Sequence, residues 1–107
     1  MMKVVTYCLC LRNSDIVFDQ DKQNSFQEEL DNLVGYAKSA LTIIQTPLNK
    51  FTRHSIKIWA LGKTEEENHK IIVDISRFLD DQNILYEKET DYLLWNEENI
   101  KIEIPVT

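Results

Sequence analysis

The chain has 107 residues, and its 18 acidic and 12 basic residues give a formal net charge of −6. This length predicts a single domain over residues 1–107. Only two glycines are present, which argues against enzymes that hold a cofactor phosphate in a glycine-rich loop. The acidic balance argues against a general nucleic-acid-binding protein, because such proteins are basic. No apolar segment approaches the roughly 20 residues of a membrane helix, so we expect a cytoplasmic protein without membrane contact.

The first half of the chain predicts a strand followed by a helix. Residues 2–11 are apolar on both alternating faces, which is typical of a central strand that is covered twice. Residues 16–18 follow a turn signal and indicate a short second strand. Ser25 begins a capping-box pattern, and apolar residues then recur at helical spacing as far as Pro47. We therefore predict a helix over residues 25–45.

The second half predicts a further strand and helix, and then three strands. Residues 55–61 alternate in the manner of a strand. A capping box at Thr64 predicts a helix over residues 65–82, and Asn83 is a suitable left-handed residue to end it. The predicted strands that follow are residues 84–88, 92–96 and 99–106.

Together these elements predict an α/β (α+β) domain. The expected fold is a mixed β-sheet of about 5–6 strands with two amphipathic helices, in the order β-(β)-α-β-α-β-β-β. The strand–helix–strand units are expected to have right-handed crossovers. A ferredoxin-like arrangement is the alternative, provided that residues 48–52 hide another strand.

Motifs for metal, cofactor or catalytic sites are incomplete. Cys8 and Cys10 lie on one face of the first strand, without two further ligands at the spacing of a zinc site. We interpret them as small buried thiols in a reducing compartment. Gly62-Lys63-Thr64 joins a strand to a helix, but the first glycine of a phosphate-binding loop is replaced by Lys57. We predict no metal, no cofactor and no catalytic residue, and hence no enzyme.

Charge is distributed unevenly along the chain. Residues 50–63 hold four basic residues and no acidic one, whereas residues 64–107 have a net charge of −8. The basic segment also contains aromatic residues, which fit a local nucleic-acid contact. The favoured interpretation is nevertheless a solvated face. Its basic residues are Lys50, Arg53, Lys57 and Lys63.

The acidic segment contains tyrosine and tryptophan among its acids. Aromatic side chains anchor interfaces and a charged field speeds association, so this combination fits a strongly basic protein partner. The competing interpretation is that the acids aid solubility while the aromatics pack in the core. The predicted partner contacts are Tyr86, Glu87, Glu89, Asp91, Tyr92, Trp95, Glu97 and Glu98. The strand at residues 99–106 is a further candidate, as an edge through which a homo-oligomer could form.

In size, acidic charge and lack of catalytic motifs, the whole chain resembles small bacterial immunity proteins, including those of contact-dependent growth inhibition systems. Such proteins vary in fold, so the resemblance transfers no site residue to this sequence. It implies a non-catalytic inhibitor that neutralises a basic toxin, such as a nuclease, by direct binding. The alternative is a small enzyme or ligand-binding domain, which a deep pocket with a histidine or carboxylate would favour.

Overall fold

A computed structural model describes the backbone of residues 2–12, 19–48, 51–96 and 101–103, and side chains within residues 2–12, 19–43 and 55–95. Strands and helices occur along the described chain as β1 (Met2–Leu11), α1 (Gln20–Val34), β2 (Ser39–Leu48), β3 (Phe51–Ala60), α2 (Glu65–Asp81), β4 (Tyr86–Asn96) and β5 (Lys101–Glu103). The prediction of an α+β chain with two helices is confirmed.

The strands form one sheet in the order β2-β3-β1-β4-β5, and each neighbouring pair is antiparallel. β1 is central, as predicted, but α1 and α2 cover only one of its two apolar faces. The sheet is antiparallel and not mixed. β1 and β2 run in the same direction, but they are not neighbours because β3 lies between them and pairs antiparallel with both. The four long strands and both helices follow the β-α-β-β-α-β order of a ferredoxin-like arrangement, and the short β5 extends the sheet beyond β4.

Helix α1 begins and ends earlier than predicted. Asp19, not Ser25, is the N-cap, and its carboxylate accepts a backbone N–H of the first turn at 2.8 Å. Gly35 ends the helix with a φ of 110°, a conformation that L side chains rarely adopt. The β-branched residues that follow form β2, and Pro47 is tolerated there because β2 is an edge strand.

The predicted boundaries of α2 agree with the structure to within one residue. Thr64 accepts the N–H of Glu67 at 3.1 Å, and Asn83 follows the helix in the left-handed region with a φ of 58°. β4 is one strand where two were predicted, because residues 89–91 continue the pairing with β1. The predicted strand at residues 16–18 lies outside the described part of the chain.

Both helices pack on one face of the sheet. Their buried core consists of Leu9, Phe26, Leu30, Ile58, Ala60, Ile71, Ile72, Ile75 and Leu79. The opposite face, here called the open face, is not covered by α1 or α2. It carries two smaller buried clusters, one of Cys8, Cys10 and Trp59 and one of Val4, Leu93 and Trp95. Neither described helix is long and apolar enough to cross a membrane.

Candidate binding surface and thiol cluster

The predicted partner contacts are divided between the two faces of β4. Side chains of a strand alternate, so Glu87, Glu89 and Asp91 lie on the open face, and Tyr86 and Tyr92 on the helix face. Tyr86 packs against the main core, whereas Tyr92 is 43% exposed. The three acids of the open face, Glu87, Glu89 and Asp91, are here called the acidic row.

Trp95 belongs to the interior of the open face. It is buried against Val4 and Leu93, and its Nε1 donates to the carbonyl of Gly62 at 3.3 Å. An indole whose N–H is already paired and whose ring is packed offers little surface to a partner. The predicted contacts Glu97 and Glu98 lie outside the described residues.

Two members of the acidic row have cationic partners. The guanidinium of Arg12 donates to the carboxylate of Glu87, and Lys57 Nζ lies 3.2 Å from Glu89 Oε2. The Lys57 ammonium holds the pKa of Glu89 below its ordinary value. Asp91 accepts the backbone N–H of the next residue at 2.8 Å. The row therefore has its carboxylates held in defined positions by groups of the chain itself.

The predicted basic residues are only partly described. Lys57 pairs with Glu89, and Lys63 Nζ lies 5.7 Å from the ring centroid of Trp95. Lys50 and the side chain of Arg53 lie outside the described residues. Both described lysines thus contact groups of the chain, and a nucleic-acid contact stays a prediction. The same holds for oligomerisation through residues 99–106, of which the structure describes Lys101–Glu103.

The strand register brings three potential metal ligands together on the open face. Cys8 and Cys10 lie on β1, and Glu89 lies directly opposite Cys8 on β4. Their sulfur and carboxylate oxygen atoms all lie within 4.8 Å of one another, and Cys8 Sγ is 3.8 Å from Glu89 Oε2. We call these three residues the thiol cluster. Sequence spacing missed Glu89 because it lies 81 residues from Cys8 along the chain, and only the register shows the proximity.

Both thiols of the cluster are buried. Cys8 is fully buried and Cys10 is 8% exposed. Burial, together with the neighbouring Cys10 thiol, raises the pKa of Cys8 to about 12. Burial and the Glu89 carboxylate raise the pKa of Cys10 as well. Without a bound cation, both thiols are therefore protonated at neutral pH and are poor nucleophiles.

A groove lies elsewhere on the surface, where the beginning of α1 meets the chain that follows α2. It has a volume of about 680 Å³, and its lining consists of Asp21, Lys22, Ser25, Phe26, Glu29, Gln82 and Ile84. The groove is open to solvent and not deep, and the two carboxylates in its lining, Asp21 and Glu29, belong to exposed residues. The enzyme alternative therefore gains no specific support from this groove.

Comparisons of the chain with protein-family models, curated proteins and solved structures found no match. Functional inference accordingly depends on the fold and on the chemistry of its surface. Two neighbouring features of the open face carry that chemistry, namely the acidic row on β4 and the thiol cluster between β1 and β4.

Proposed function

We propose that the chain is a non-catalytic protein-binding protein that docks a basic partner on the open face of its sheet. In this proposal it acts as an immunity-type inhibitor, and its partner is a basic toxin such as a nuclease. The observation that carries the proposal is the acidic row. Alternate residues of a strand are about 7 Å apart, so its three carboxylates are spaced along about 13 Å of one sheet face.

The arrangement suits electrostatic recognition. A nuclease must present basic residues to the phosphates of its substrate, and a row of carboxylates supplies the complementary charge. Arg12 and Lys57 offset the charge of two of these carboxylates locally but also fix their positions, which lowers the entropy lost when a partner binds. The net charge of −6 keeps the surrounding field negative and favours fast association with a basic protein.

The proposal is tested with two matched double variants, each of which removes two negative charges. Glu87→Gln/Asp91→Asn changes the acidic row without altering Glu89. Asp80→Asn/Asp81→Asn changes the exposed end of α2, away from the open face. Each immobilised chain is incubated at low salt with a lysate of its source organism, and bound proteins are eluted with a salt gradient.

We expect wild type and the α2 variant to retain the same basic protein, and the row variant to lose most of it. With purified partner, the row variant should associate several-fold more slowly, and the difference should shrink as salt is raised. Nuclease activity of the partner should fall in a 1:1 titration with wild-type chain. Equal binding by both variants, or an affinity that ignores salt, would contradict docking on the acidic row. An active partner in the stoichiometric complex would contradict inhibition.

A further inference from the structure

We propose that Cys8, Cys10 and Glu89 bind a thiophilic divalent cation of the zinc type on the open face of the sheet. The inference stands on the geometry of the thiol cluster and is independent of the proposed partner. The sequence prediction of two small buried thiols is confirmed, and the proposal adds to it the carboxylate supplied by β4.

The distances in the cluster are close to those around a tetrahedral metal. Zinc binds sulfur at about 2.3 Å and carboxylate oxygen at about 2.1 Å, which places a sulfur about 3.6 Å from an oxygen and about 3.8 Å from a second sulfur. Cys8 Sγ and Glu89 Oε2 are 3.8 Å apart. Because all three ligand atoms lie within 4.8 Å of one another, they need to approach by only about 1 Å.

The charges of the cluster also suit a divalent cation. Two thiolates and a carboxylate carry three negative charges, which a divalent metal and the ammonium of Lys57 would neutralise. Lys57 Nζ lies 3.2 Å from Glu89 Oε2, so it would act as an outer partner that orients the ligating carboxylate. The Lys57 side chain is only 21% exposed, whereas that of Glu89 is 50% exposed and gives the cluster its route to solvent.

Thiolate ligands determine the class of metal. Sulfur favours zinc and similar soft cations, whereas magnesium and calcium prefer oxygen ligands. On binding, each thiol releases its proton to solvent and forms a metal–sulfur bond, without any change in oxidation state. The charged and titratable groups around the two thiols are Lys57 on β3, Glu87 and Glu89 on β4, and Arg12 just beyond β1.

The test is a titration of the reduced, chelator-treated full chain with Co²⁺, followed by competition with Zn²⁺. Cobalt bound by thiolate gives a charge-transfer absorption in the near ultraviolet, which reports the ligand type directly. We expect one cobalt per chain, displaced by zinc. Because two thiol protons leave on binding, affinity should rise by about 100-fold per pH unit near neutrality.

Matched variants identify the ligands. Cys8→Ser and Cys10→Ser should abolish the charge-transfer band, and Glu89→Gln should weaken binding by at least about 10-fold. Asp91→Asn removes a carboxylate from the same face of β4, and we expect it to bind like wild type. If the serine variants at the buried cysteines fail to fold, the comparison of Glu89→Gln with Asp91→Asn still tests the site, because the Glu89 side chain is half exposed. A wild-type chain without the band, a band that persists in Cys10→Ser, or equal affinities of Glu89→Gln and Asp91→Asn would overturn the site.

Discussion

Asn68 binds both backbone groups of Gly62: its Oδ1 accepts the Gly62 N–H at 2.6 Å, and its Nδ2 donates to the Gly62 carbonyl at 3.3 Å. The same Nδ2 donates to the carbonyl of Val5 on the central strand at 2.9 Å. Asn68 is fully buried. One side chain of α2 thus attaches the β3–α2 connection to β1, beyond the residues at which β1 and β3 pair directly.

Replacing Asn68 by alanine should destabilise the fold strongly. The substitution leaves the buried Gly62 N–H without its acceptor and the part-buried Val5 carbonyl without this donor. Buried polar groups that lose a partner cost about 1–3 kcal/mol each, so we expect the free energy of unfolding to fall by about 3 kcal/mol. The measurement is equilibrium unfolding in urea, followed by tryptophan fluorescence.

Asn24→Ala is the matched control for this substitution. Asn24 is an exposed residue of α1, and its side chain accepts a hydrogen bond from Gln20, which is also exposed. A surface substitution of this kind should change stability by less than about 0.5 kcal/mol. Similar losses in the two variants would show that the Asn68 hydrogen bonds do not hold the connection.

Local patterns predicted those elements whose signals agree with one another. In α2, the Thr64 cap, the apolar stripe and left-handed Asn83 all indicate the same boundaries. The segment after Gly35 was misassigned because Ala37 and Leu41 continue the helical spacing of α1 by coincidence. The alternation and β-branched residues of β2 are a competing signal, and its pairing with β3 decides the outcome.

Gly35 and Ala37 offer a paired test of how α1 ends. Gly35 has a φ of 110° and a ψ of 152°, a region that is almost exclusive to glycine, and an added Cβ would lie 3.3 Å from Lys38 Cγ. We expect Gly35→Ala to lower the free energy of unfolding by about 1–3 kcal/mol. Ala37 has a φ of 60°, so Ala37→Gly should relieve strain and leave stability unchanged or raised by up to about 1 kcal/mol. Thermal unfolding that shifts in the same direction in both variants would contradict this account.

The binding surface was predictable only in part, because some of its features depend on contacts between residues that are distant in the sequence. The acids of β4 are evident in the sequence, but Glu89 and Asp91 lie between the two strands predicted there, so their alignment with Glu87 on one face could not be predicted. The burial of Trp95 depends on its contact with Gly62, a residue 33 positions away. The thiol cluster likewise depends on which residue of β4 pairs with Cys8, and that register is a tertiary property that no local pattern encodes.

The Lys38–Glu67 pair should make stability depend on pH in the acid range. Lys38 Nζ lies 2.6 Å from Glu67 Oε1, and this contact holds the pKa of Glu67 below its ordinary value. Because the folded state favours the ionised carboxylate, the pair contributes fully above the unfolded pKa of about 4.3 and loses its contribution as pH falls through the folded pKa. Both side chains are partly exposed, so the contribution should not exceed about 1 kcal/mol.

Lys38→Met isolates this contribution. At pH 7 we expect it to unfold more easily than wild type, and the difference should disappear as pH falls through the folded pKa of Glu67. Lys70→Met removes the same charge from an exposed position of α2 and should show a smaller pH dependence. Urea unfolding at intervals between pH 7 and pH 2.5 provides the measurement. If the loss in free energy of unfolding caused by Lys38→Met grew as the pH fell, the ion-pair explanation would be contradicted.

The raised thiol pKa values predict slow alkylation of the metal-free chain. Only the thiolate reacts, so burial and the pKa of about 12 at Cys8 should make iodoacetamide at pH 8 react at least about 100-fold more slowly than in urea.

The neighbouring charges predict opposite effects of two variants at Cys10. Glu89 raises the pKa of Cys10 and Lys57 lowers it, so Glu89→Gln should speed alkylation of Cys10 and Lys57→Met should slow it. Peptide mass spectrometry separates the two thiols, and a rate that changes in the same direction in both variants would show that local opening, and not thiolate chemistry, governs the reaction.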